Sequence, residues 1–181
     1  YEEEHPDDGR KIHIFSSDTA AAGQLNLCMA IQDLKELGKS FDEVVTLVSE
    51  KIQTMKTYFV LESLDTLRKN GRLSTVKAFI ASALNIKPIM AGDHGVIVQV
   101  ENQRGINKAL KRMAQIAVEK VGGPMKTADL RLCITHVNNP DRAELVKEEF
   151  QKLASFRDIV ITDAMGVATV YAEDGGIVIG L

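Results

Sequence analysis

The sequence predicts an α/β protein: a parallel-sheet α/β lobe, followed by an α+β lobe in which helices flank an antiparallel sheet. Three observations carry that reading. Short apolar runs alternate with segments whose apolar residues recur every three to four positions, the first part follows the order strand, helix, helix, strand, and two later runs face each other across a glycine-containing turn. The 181 residues, 45% hydrophobic and 26% charged, suit one large domain or two small ones. Residues 1–75 are expected to form the α/β lobe and residues 76–181 the antiparallel-sheet lobe, with the seam between Gly71 and Asn85.

Each element has its own local warrant. Lys11-Ile12-His13-Ile14-Phe15 alternates and breaks into Ser16-Ser17-Asp18-Thr19, which reads as a strand ending in a polar loop. Leu27, Ile31, Leu34 and Leu37 then recur at helical spacing, and Gly38 supplies the left-handed stop. Ser40-Phe41-Asp42-Glu43 matches a capping box opening a second helix that runs to about Met55. Tyr58-Phe59-Val60-Leu61 reads as a short buried strand, and a helix over residues 62–69 carries Leu64 and Leu67 before Asn70-Gly71 stops it.

In the second part Ser74 caps an expected apolar helix over residues 76–84. Ile86-Lys87-Pro88-Ile89-Met90-Ala91 then pairs with Val96-Ile97-Val98-Gln99-Val100 across Gly92-Asp93-His94-Gly95. Residues 107–121 read as a helix with Leu110, Met113, Ile116 and Ala117 facing in, ended by Gly122-Gly123-Pro124. Residues 130–137 form a strand, and Asn139-Pro140-Asp141 opens a helix through Leu153. Three short strands close the chain, at residues 159–162, 167–171 and 177–180.

Composition and motifs narrow the chemistry. A net charge of -3 calls for no polyanionic partner such as nucleic acid. No apolar run approaches a membrane span, and the acidic start, Tyr1-Glu2-Glu3-Glu4, is unlike a signal peptide, so a cytoplasmic protein is expected. Cys28 and Cys133 lie in apolar periodic segments without a CxxC spacing and read as reduced core residues. His5, His13, His94 and His136 show no metal-ligand spacing, no serine sits in a GxSxG elbow, and no phosphate-binding glycine loop is present. Neither catalysis nor a cofactor is therefore expected.

The most informative stretch is Leu64-Asp65-Thr66-Leu67-Arg68-Lys69-Asn70-Gly71-Arg72-Leu73-Ser74, followed by Ile86-Lys87-Pro88-Ile89, the turn glycine Gly95, and Arg104 before the next helix. In this order and spacing the chain resembles the DegV family of fatty-acid-binding proteins over residues 11–181. Phe15-Ser16-Ser17-Asp18-Thr19-Ala20-Ala21-Ala22-Gly23 is similar to that family's strand-to-helix turn. Family proteins start with a longer N-terminal stretch, so the resemblance implies that residues 1–75 are the remainder of a first lobe, a partial α/β lobe, and they end on a His-Thr-Gly-Pro-Gly type loop where Tyr171-Ala172-Glu173-Asp174-Gly175-Gly176 stands here.

The resemblance implies a carrier that holds a long-chain fatty acid in an apolar tunnel and presents its carboxylate to a separate fatty acid kinase. Val76, Phe79, Ile80, Ala83, Leu84, Ile89, Met113 and Ile116 either line that tunnel or form the core. Arg72 and Ser74, at a helix stop and a helix start, meet the fatty-acid head or a partner, the alternative for Arg72 being an exposed charge or an anchor to a neighbouring carboxylate. Ser17 and Thr19 either offer hydroxyls to the cleft or cap the helix. An open sheet edge in the first lobe is expected, to be met by a companion segment or by self-association. A different class of reading makes the chain a regulatory or assembly module, cut from or fused to a dihydroxyacetone-kinase-like protein.

Overall fold

A computed structural model of the chain describes residues 1, 3–6, 8–73 and 85–181. The fold is mixed α/β, with one six-stranded sheet and helices on both faces. Helix α1 (Ala22–Glu36) and helix α2 (Phe41–Thr54) precede strand β1 (Thr57–Val60) and the short α3 (Asp65–Lys69). The hairpin β2 (Ile86–Asp93) and β3 (Val96–Arg104) leads into α4 (Ile106–Lys120) and β4 (Arg131–His136). Helix α5 (Pro140–Leu153), β5 (Asp158–Asp163), α6 (Val167–Ala172) and β6 (Ile177–Gly180) complete the chain.

The strand order is β3-β2-β1-β6-β4-β5. All neighbours are antiparallel except β4 and β5, which run parallel. The sheet crosses the expected seam without a break, because β1 is paired on one side to β2 and on the other to β6.

Local chemistry explains most boundaries. The Ser40 side chain accepts from the Glu43 amide while the Glu43 carboxylate accepts from the Ser40 amide, closing the capping box of α2. Asn139 accepts from the Arg142 amide and Pro140 fills the first turn of α5. The hairpin turn is tighter than expected: His94 (φ 47°) and Gly95 (φ 76°) alone occupy it, both left-handed as a two-residue turn requires.

Alternation along the strands splits the interior in two. Tyr58 and Val60 of β1, with Ile89, Ala91, Ile177 and Ile179, pack against Leu110, Met113, Ile116, Val146 and Phe150 of α4 and α5. Phe59 and Leu61 face the other way, with Met90, Leu64, Leu67, Leu73, Val137 and Ala172. On that second face the N-terminus of α1 meets the sheet at backbone distance. A Cβ built on Gly180 would stand 2.6 Å from the Gly23 Cα. Asn26, buried, fastens the contact by donating to the carbonyls of Arg131 at 2.7 Å and Gly180 at 3.1 Å.

Four expectations are corrected. Residues 11–15 form no strand, and Ile14 is 87% exposed. An alternating segment becomes a strand only where another takes its N–H and C=O groups, and among the described residues none lies beside it. Residues 167–171 belong to helix α6, not to a strand. Four β-branched or aromatic residues gave a strand-like signal, but the left-handed Gly166 starts a helical turn that packs beside α3. Cys28 is exposed while Cys133 is buried, because the buried stripe of α1 is Ala22, Gly23, Asn26 and Leu27. Among the described residues the edge strands of the sheet are β3 and β5, whereas β1 is central.

Candidate functional site

Between the N-terminus of α1, the second face of the sheet and α6 lies a cavity of about 570 Å³. Strand β1 runs beneath it, contributing Thr57 and Phe59, with Leu61 just beyond its end, by the same alternation that sends Tyr58 and Val60 to the opposite core. Val178, the register partner of Phe59, continues the floor on β6, and Ile97 does so on β3. Ala168, Tyr171 and Ala172 line one wall, their i, i+3, i+4 spacing placing them on one face of α6. The walls are thus largely apolar, while polar groups gather in the turn before α1 and at Arg72.

That turn is tightly built. Asp18 (φ 50°) and Ala21 (φ 46°, ψ -114°) hold left-handed backbone, which an alanine adopts only under constraint from its surroundings. The constraint comes from below: a Cβ on Gly23 would run into the Thr19 hydroxyl and stand 2.8 Å from the Thr57 Oγ1, so only glycine lets α1 settle there. Thr19 and Thr57 share a hydrogen bond of 2.6 Å between their hydroxyls. One of the two donates to the other, which leaves the acceptor's own proton free for a group in the cavity. Ser17 donates to the Thr19 carbonyl at 3.2 Å and Ser16 to Asp18 at 3.0 Å. A hollow of about 50 Å³ adjoins this turn, lined by Lys56, Asp93 and His94 among others, with room for a few water molecules.

Arg72 supplies positive charge to the cavity wall. It follows Gly71 (φ 70°), the left-handed stop after α3, and its amide donates to the Leu67 carbonyl at 2.9 Å. Its side chain is exposed and, among the described residues, has no ion-pair partner. Arg131, by contrast, pairs with Asp33 at 3.1 Å and Asp158 at 2.8 Å, and Arg112 with Glu101 at 3.1 Å. Among the described residues no group of three or more His, Cys, Asp or Glu side chains converges as a metal site would require.

Three sequence-expected residues, Ser17, Thr19 and Arg72, therefore meet at one cavity. Ile89, Met113 and Ile116 sit elsewhere, in the core between the sheet and α4 and α5. Ser74, Val76, Phe79, Ile80, Ala83 and Leu84 lie outside the described residues. Sequence reasoning missed Phe59, Leu61, Val178, Ala168 and Tyr171. The alternation of β1 carried the signal for the first two, and the strand assigned to residues 167–171 hid the helical spacing of the last two.

The comparisons agree with this architecture. A family model described as an uncharacterised protein of the DegV family matches residues 1–181. A DegV domain-containing protein of Streptococcus pneumoniae is 32% identical over 182 residues, covering 99% of this chain and 62% of the relative. A DegV family crystal structure from Ruminococcus gnavus, described with vaccenic acid, superposes with a TM-score of 0.92 at 41% identity, covering all of this chain and 63% of the other. The Fatty Acid Kinase (Fak) B3 protein of Streptococcus pneumoniae, loaded with linoleic acid, gives a TM-score of 0.79 at 30% identity over 99% of this chain and 62% of that one. The chain thus spans a little over three fifths of the length of these relatives. With the family model matched from end to end, the chain belongs to the DegV family.

Proposed function

We propose that this chain forms the greater part of a fatty-acid carrier: the acyl chain lies in the cavity over Phe59, Leu61 and Val178, and the carboxylate meets Arg72, Ser17 and Thr19. The observation that carries this reading is an apolar cavity of about 570 Å³ whose wall carries the Arg72 guanidinium, which has no ion-pair partner among the described residues. Its size falls in the range of small-molecule sites. Each methylene moved out of water contributes about 0.8 kcal/mol, so a chain of about 14 methylenes brings roughly 11 kcal/mol before the costs of association. The head group adds less and serves to orient the ligand. Fatty acids are named as ligands of the Ruminococcus gnavus and Streptococcus pneumoniae structures above, which supports the same ligand class here.

The carrier holds its ligand with the carboxylate turned towards Arg72 and gives it to a kinase, which phosphorylates it while the acyl chain stays buried. The chain itself performs no chemistry in this scheme. Native mass spectrometry after incubation with palmitate and oleate tests the reading: a one-to-one complex surviving gel filtration is expected. Protein that stays empty at saturating lipid would overturn it.

A further inference from the structure

A second cluster of charged groups gathers where β1 ends, next to the cavity but outside its wall. Glu62 follows Leu61 directly. Its Oε1 accepts from Arg142 Nη2 at 2.8 Å, its main-chain carbonyl accepts from Lys87 Nζ at 2.8 Å, and the Lys87 ammonium also bonds the carboxylate. Arg142 Nη1 donates in turn to the Gly175 carbonyl. Beside it, the Glu173 carboxylate accepts from the Thr66 amide at 3.2 Å, closing the first turn of α3. The Lys87 and Arg142 side chains are 16% exposed. Gly175 (φ 76°) packs so closely that a Cβ there would lie 2.7 Å from Arg142 Nη1 and 3.3 Å from Glu62 Cγ.

The topology gives this cluster its meaning. Glu62 leads into α3 and on to Arg72, Lys87 lies on β2, and Gly175 belongs to the turn after α6, the helix of Ala168 and Tyr171, which packs beside α3. One carboxylate thus ties together the base of the segment bearing the cation and the base of the opposite wall. Stability alone does not call for such an arrangement, because solvated ion pairs contribute little and largely buried ones are matched by apolar packing. Directional bonds from two cations to one acid fix relative position, which packing does loosely.

We propose that Glu62 is a positioning residue for head-group recognition, acting through Lys87 and Arg142 to hold the Arg72 segment against the α6 wall. This role rests on the fatty-acid reading above. The test compares the binding of palmitate with that of hexadecanol, which has the same chain and no charge, in the unmodified chain, Glu62→Gln, Lys87→Met and Lys87→Arg. The acid-over-alcohol preference is expected to fall about tenfold in Glu62→Gln and Lys87→Met, as for residues coupled within one ion-pair network, with hexadecanol affinity held within about twofold. Lys87→Arg should restore most of the preference. Hydrogen exchange at the Thr66 and Gly175 amides should quicken in the two disrupting variants.

Equal losses for acid and alcohol, or an unmoved preference, would overturn the positioning role. That outcome requires the unmodified chain to discriminate. If it binds neither ligand, the fatty-acid reading itself has failed and this role falls with it, so the two failures are told apart by the unmodified chain alone.

Discussion

Replacing Arg72 by alanine separates recognition from folding. The side chain is exposed, has no ion-pair partner among the described residues, and is joined to the fold through its amide on the Leu67 carbonyl. Truncation keeps that amide, so stability should change by less than about 0.5 kcal/mol, as for surface positions free of special roles. Binding should behave otherwise. A charge-assisted hydrogen bond to a carboxylate is worth about 1.5–3 kcal/mol, or roughly 10- to 150-fold in affinity, and exposure at the rim places Arg72 at the lower end. Lys69, at the end of α3 and exposed, does not line the cavity, so Lys69→Ala should alter affinity by about twofold or less. Arg72→Lys keeps the charge without the planar fork and should fall between the two. Displacement of an environment-sensitive fluorescent fatty acid by palmitate, at low and physiological salt, reads all three. Equal and small effects for Arg72→Ala and Lys69→Ala would refute the reasoning, and a drop of several degrees in the Arg72→Ala melting midpoint alone would make Arg72 a structural clamp.

Four further outcomes follow from the fold. Ser40→Ala removes half of the α2 capping box and should cost about 1 kcal/mol by chemical denaturation, an unchanged midpoint counting against the box. Hydrogen bonds from Lys39, then from the Ser40 amide and hydroxyl, hold the Glu43 carboxyl down to about 2, below its ordinary 4.5. Its contribution is therefore full above about pH 4.5 and lost as the pH falls towards 2, so the lead of the unmodified chain over Glu43→Gln should shrink in that window. Asn26→Leu leaves the Arg131 and Gly180 carbonyls without their side-chain donor in a buried place and should cost about 1–3 kcal/mol, readable by urea titration. Burial pushes the Cys133 thiol up to about 11 whereas Cys28 is exposed, so one thiol should react promptly with a disulfide reagent and the second only on unfolding, with equal rates speaking against the core.

Where a local signal and tertiary packing agree, the sequence was legible. The capping box at Ser40, the Asn139-Pro140 start and the Gly38 and Gly71 stops are all set within a few residues, and each forms where its residues indicate, while the hairpin forms between the expected strands on a shorter turn. Residues 11–15 and 167–171 failed for opposite reasons. The first has a strand's pattern and no neighbouring strand among the described residues, whereas the second has strand-forming residues but sits where a helix covers the sheet. The polar part of the candidate site was visible because Ser17, Thr19 and Arg72 stand at punctuated positions, a turn before a helix and a glycine after one. Its apolar part was not, since Ile89 and Phe59 are equally hydrophobic and differ only in which face of the sheet receives them. One residue of register decides between core and cavity, and only the assembled sheet fixes that parity.

A crystal structure of the chain after incubation with palmitate tests the central claim most directly. The account predicts a continuous tube of density over Phe59, Leu61 and Val178, ending in a carboxylate within hydrogen-bonding distance of the Arg72 guanidinium. A cavity that stays empty at saturating lipid, or an acyl chain lodged instead against α4 and α5 beside Met113 and Ile116, would contradict it.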